Sequence, residues 1–86
     1  MKFGKWERKV LEFLYEKGGF VSPEEWHAFY YKELPSHRSV IIKNLLKKKV
    51  IGYRTENHLI SEWYIAPCAF VYIMMQSLKN KINFKT

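Results

Sequence analysis

Six cations, Arg38, Lys43, Lys47, Lys48, Lys49 and Arg54, fall within residues 36–55, a stretch that holds no acid. Charges grouped this way suit a polyanion, because each cation that meets a phosphate releases condensed counterions. Residues 1–35 are charge-balanced and residues 56–86 carry +1, so this one segment holds +6 of the chain's +7. Between the cations stand Ser36, His37, Ser39 and Asn44, whose side chains can bond phosphates or base edges. Arg38 can grip a guanine edge with two hydrogen bonds, and Asn44 an adenine edge. The plainer reading of Lys47, Lys48 and Lys49 is a solvated helix end whose cations offset the helix dipole, an effect of about 0.3–1 kcal/mol. Arg38 and Arg54, at the two ends of the same acid-free stretch, favour the polyanion.

Other chemistry is poorly provided for. His27, His37 and His58 are scattered, and none stands at metal-ligand spacing from Cys68 or a carboxylate, so no metal and no cofactor are expected. Ser22 and Ser36 read as helix caps without a base partner, and Glu24 and Glu25 serve a helix start. No catalytic residues emerge; the expectation is a protein that is not an enzyme, with no small-molecule pocket legible. A single cysteine excludes an internal disulfide framework and fits a reducing cytoplasm, while a symmetric bond between two copies of Cys68 stays open. The N-terminus lacks the apolar region of a secretory leader. The apolar run Trp63 to Met75 spans thirteen residues and includes Pro67, short of the roughly 20 needed to span a bilayer, so no membrane partner is expected.

These residues need elements to hold them. At 86 residues with 48% hydrophobic content, the chain is one domain (residues 1–86), near the lower size limit for an adequate core. Trp6, Val10, Phe13 and Leu14 recur at helical spacing from about Lys5 to Lys17, and Gly18 and Gly19 supply the stop. Leu11 and Tyr15 form a second stripe on that helix. Phe20 and Val21 suit a short edge strand. Ser22, Pro23 and Glu25 then make a capping box for a helix through Tyr31, buried by Trp26, Phe29 and Tyr30 and ended by Leu34-Pro35. Ser36 is expected to cap a third helix over His37–Lys48. Ile41, Ile42, Leu45 and Leu46 form its apolar stripe, and Ser36, His37, Val40, Lys43, Asn44 and Lys47 its opposite face. Val50–Arg54 and Leu59–Ile65 read as a β-hairpin around the polar residues 55–58. Pro67 opens a last helix to about Lys81, whose apolar residues exceed a single stripe.

The order is helix, short strand, helix, turn, helix, hairpin, helix. The stretch VSPEEWHAFYYKELPSHRSVIIKNLLKKKVIGYRT, residues 21–55, resembles the winged helix-turn-helix superfamily, and the likeness covers roughly residues 5–65. The fold class is thus mainly α with a small β-hairpin, a winged helix-turn-helix plus a C-terminal dimerisation helix over residues 67–81. Small size and basic character are similar to compact regulators of archaea and their viruses, which implies a cytoplasmic location, the host's if viral. Two positions depart from the pattern: Lys49 stands where glycine is common, and Arg38 where a core hydrophobe is usual.

The resemblance implies a sequence-specific double-stranded DNA-binding protein, a transcriptional regulator with its third helix in the major groove. The wing would lie on the backbone or minor groove, through Arg54, Asn57 and His58. It also implies a homodimer built on Leu11, Tyr15, Phe70, Ile73, Met74 and Leu78, presenting two recognition helices about 34 Å apart. A winged-helix protein–protein interaction module is the competing reading, and nonspecific architectural binding a third.

Overall fold

The structure, a computed structural model, describes the backbone of residues 2–85 and the side chains of residues 2–79. Seven elements follow in the order α1 (Lys5–Glu16), β1 (Phe20–Val21), α2 (Pro23–Lys32), α3 (Arg38–Lys47), β2 (Ile51–Glu56), β3 (Leu59–Ile65) and α4 (Pro67–Lys85). The chain is mainly helical, with one antiparallel three-stranded sheet in the order β1-β3-β2.

Local chemistry sets most boundaries. The Glu7 carboxylate accepts the Gly4 N–H at 3.0 Å, which satisfies one free donor at the start of α1. Its other end closes where Gly18 turns to φ +89°, letting Gly18 donate to Tyr15 and Gly19 to Leu14. Ser22 caps α2 as expected, its hydroxyl accepting the Glu25 N–H at 3.2 Å beside Pro23 in the first turn. Ser36 does not cap α3. That helix starts one residue later than expected, with His37 at the boundary and no side-chain cap. Its far end repeats the closure of α1 without a glycine: Lys49 takes φ +61°, donates to Leu46, and lets Val50 donate to Leu45. So Lys49 does occupy the position that glycine would fill.

The hairpin is tighter than the four-residue turn expected. Asn57 and His58 alone connect the strands, both at positive φ, which matches the right-handed twist of the flanking strands. A bulge between Arg54 and Thr55 leaves Ser61 as the extra residue of β3, where its hydroxyl donates to the Arg54 carbonyl. Gly52 faces Tyr64, and a Cβ on it would stand 2.5 Å from the Tyr64 hydroxyl. Only glycine lets that ring lie across β2.

One core joins all of this. Val10, Leu11 and Leu14 of α1 meet Trp26 and Phe29 of α2, Ile41, Ile42 and Leu45 of α3, Ile51 and Ile65 of the sheet, and Ala69 and Ile73 of α4. Phe13 stacks on Phe29 at 4.0 Å and Trp26 on Trp63 at 4.3 Å, so two of the three tryptophans act as packing. Helix α4 lies against α1 and extends beyond the expected end at Lys81.

Packing against α1 corrects the expected dimer surface. Leu11 is 0% and Ile73 4% exposed, both closed inside the chain's own core. Tyr15 and Phe70 are half-buried against each other with ring centroids 4.9 Å apart, and Met74 is half-buried too. Only Leu78 of the six is open, and the exposed α4 line is Val71, Met75 and Leu78. Ala69 was the missed signal. Its missing bulk lets α4 approach the core, and counting 100° per residue from Ala69 and Ile73 puts 71, 75 and 78 on the far side.

Candidate nucleic-acid interface

Helix α3 is held from behind by Ile41, Ile42 and Leu45, all buried. Burying one such side chain stabilises by about 1.5–3 kcal/mol, enough to fix which face of the helix meets solvent. The opposite side carries Ser36, His37, Ser39, Val40, Lys43, Asn44 and Lys47, and every one is exposed. Neither the core nor α4 covers this face.

Val40 lies at its middle. At 100° per residue Ser36, His37, Lys43, Asn44 and Lys47 all fall within about 60° of it, and Val40 is 53% exposed. An apolar side chain centred among polar ones can contact a thymine methyl while its neighbours bond base edges and phosphates. The sequence pattern put Val40 on this face but assigned it no role. At the start of the helix no side chain caps the backbone, leaving free N–H groups that favour an anion beside Ser36 and Ser39.

The six cations of residues 36–55 divide in space. Lys48 turns away from the open face and donates to both oxygens of Glu7, at 2.9 and 3.1 Å, with its ammonium over the Phe3 ring. Desolvation alone would raise the Glu7 carboxyl. The Gly4 N–H, the Lys48 bonds and the Lys48 charge outweigh it, and the group is held below the usual carboxylate range. This pair ties the end of α3 to the start of α1. Arg54 meets Glu62 across the hairpin at 3.0 Å and lies over the Tyr64 ring.

Arg38 is half-buried, its guanidinium 4.7 Å from the Tyr31 ring centroid and 5.4 Å from that of Tyr30, with Nη1 donating to the Pro35 carbonyl at 3.3 Å. It braces the turn between α2 and α3 instead of reaching outward as a base reader. The departure at this position is therefore accommodated: aromatic faces take a guanidinium where a hydrophobe was expected. Lys43, Lys47 and Lys49 are exposed and carry no ion pair among the described residues. Lys49, the third of these, was part of the charge run but not of the expected site.

The hairpin does not match its expected role as a basic wing. Residues 51–65 hold Arg54 against Glu56 and Glu62, a net −1, with Asn57 and His58 as exposed neutral groups at the turn. Leu59 beside them is 72% exposed.

Elsewhere, a groove of about 540 Å³ runs between α1 and α2 over Phe13 and Phe29. The Lys9–Glu33 and Lys17–Glu25 pairs border it, so its walls already neutralise one another. Among the described residues no group of three potential metal ligands stands together, and no helix is long and apolar enough to cross a membrane.

No protein-family model, no curated protein and no solved structure matches this chain. Its helix-rich architecture with a small antiparallel sheet is compatible with a winged-helix-like fold.

Proposed function

We propose that this chain is a winged helix-turn-helix protein that binds double-stranded DNA with sequence preference, acting as a transcriptional regulator in the cytoplasm. One observation carries the reading. The outer face of α3 gathers Lys43, Asn44, Lys47 and Val40 in the open, unpaired, on a helix whose other side is locked into the core. Lys43 and Lys47 neutralise phosphates flanking the major groove, and Lys49 adds a third cation just beyond the helix. Asn44 reads an adenine edge and Val40 a thymine methyl. Ser36, His37 and Ser39 approach the backbone at the helix start. The wing contributes Asn57 and His58, neutral donors suited to the minor groove, while Arg54 stays with Glu62.

A homodimer fits the same reading. Two copies related by a two-fold axis would set their α3 helices about one DNA turn apart and favour an inverted repeat. Val71, Met75 and Leu78 offer the apolar surface for a second copy in place of the buried Leu11 and Ile73.

The test is a duplex-binding titration at several salt concentrations, paired with selection from a random duplex library. The expected result is a steep salt dependence and enrichment of a two-fold-symmetric sequence. Binding that ignores salt, or tight binding with no enriched sequence, overturns the regulator reading; the second outcome points to architectural binding. The protein-interaction reading is favoured only at the hairpin, where net negative charge and an exposed leucine suit a protein better than a phosphate.

A further inference from the structure

We propose that the exposed stripe of α4 is covered by the outer face of the hairpin of a second copy of this chain. The proposal deepens the two-copy part of the reading above and rests on that part alone.

Nine large hydrophobic side chains are exposed, and Val71, Met75, Leu78 and Leu59 sit on two surfaces that fit one another. Val71, Met75 and Leu78 follow i, i+4, i+7 spacing and form one line, with Lys79 beside it and exposed. Helix α4 carries Lys79, Lys81 and Lys85 and no acid. On the hairpin, Leu59 is the most open of the nine and is the cross-strand partner of Glu56, so the two share one face. Arg54 and Glu62 pair on that same face, and Glu56 has no ion pair among the described residues. An apolar centre with an acidic rim meets an apolar line with a basic rim. The two-residue turn at Asn57 and His58 holds Leu59 and Glu56 directly at its base, so the docking element is rigid before it binds.

Other occupants of these surfaces fit less well. Helix α4 against a second α4 brings together two segments with three lysines each and no acid to answer them. Duplex DNA against the outer hairpin face sets Glu56 among phosphates and leaves Leu59 without an apolar partner. A reciprocal exchange, each hairpin on the other's α4, makes two equal contacts and closes on itself as a two-fold assembly.

Sedimentation equilibrium on the full chain tests this. The wild type is expected to dimerise. Glu56→Lys and Lys79→Glu should each raise the dimer dissociation constant about tenfold, since each is counted twice in the assembly, and the double variant should return to within about threefold of wild type. Leu59→Lys should give monomer with an unchanged thermal midpoint, because that side chain is already in solvent. A wild type that stays monomeric overturns the proposal. So does a dimer broken by Met75→Glu but indifferent to every hairpin variant, which would mean α4 packs on α4. A duplex titration of the Leu59→Lys monomer separates the two readings. Retained salt response through Lys43 and Lys47 supports DNA binding whatever the dimer does, and its absence in the wild type overturns DNA binding without touching the dimer geometry.

Discussion

The outer face of α3 and the hairpin that follows it draw on the same acid-free run of sequence, yet they differ in what they offer a polyanion. On α3, Lys43 and Lys47 point from a helix side whose neighbours are serine, histidine, valine and asparagine, with no carboxylate in reach. On the hairpin, the cross-strand register sets Glu62 opposite Arg54, and the charge is answered within the fold. The difference teaches that a cation count along a chain describes a potential partner only after the strand pairing is known. A helix shows its charges to one side, whereas a hairpin brings a second strand alongside and mixes two stretches of sequence on one face.

Substitutions can break that comparison or sharpen it. The largest effect is expected from Lys43→Ala with Lys47→Ala. Two lost phosphate contacts should flatten the salt dependence by about two log–log units and weaken duplex binding about a hundredfold near 50 mM salt. Filter binding across a salt series measures both, and an unchanged slope removes α3 from the interface. Asn44→Ala should cost about 1–3 kcal/mol on the favoured duplex and almost nothing on random DNA. Equal losses on both would show that Asn44 positions the helix without reading a base.

Smaller effects concern the joints that set the two regions apart. Glu7→Ala removes both the acceptor for the Gly4 N–H and the partner of Lys48, and should destabilise by about 1 kcal/mol at neutral pH. Because the Glu7 carboxyl is held below its unfolded value, this contribution is complete above the ordinary carboxylate range near about pH 4.3 and is lost as pH falls through the lowered value. Thermal melts from pH 7 to pH 3 should therefore bring variant and wild type together at the acid end; a constant gap would assign the effect to packing.

Lys49→Gly relieves the left-handed backbone and should stabilise by about 0.5–1 kcal/mol, raising the thermal midpoint by a few degrees. The same variant should bind duplex slightly more weakly through the lost charge. The smallest change is expected on the hairpin: Arg54→Ala should leave the salt slope nearly unchanged, whereas Glu62→Gln frees Arg54 and should raise the slope by up to about one unit. A large loss in Arg54→Ala would return the wing to the interface as a cationic contact.

Much was legible in the chain because it depends on neighbours in sequence. The Ser22-Pro23-Glu25 start, the Gly18-Gly19 stop, the stripe of Ile41, Ile42 and Leu45, and the exposed face opposite it all follow from periodicities and caps that act over a few residues. What the tertiary structure alone decided was the pairing of distant groups. Glu7 reaches Lys48 across 41 residues, Glu62 answers Arg54 across the hairpin, and the tyrosines of α2 claim Arg38. Packing α4 on α1 closed Leu11 and Ile73 into the core and left Val71, Met75 and Leu78 outside. Pattern along one helix gives the direction of each side chain, but burial and ion pairing depend on what the rest of the chain brings to that side.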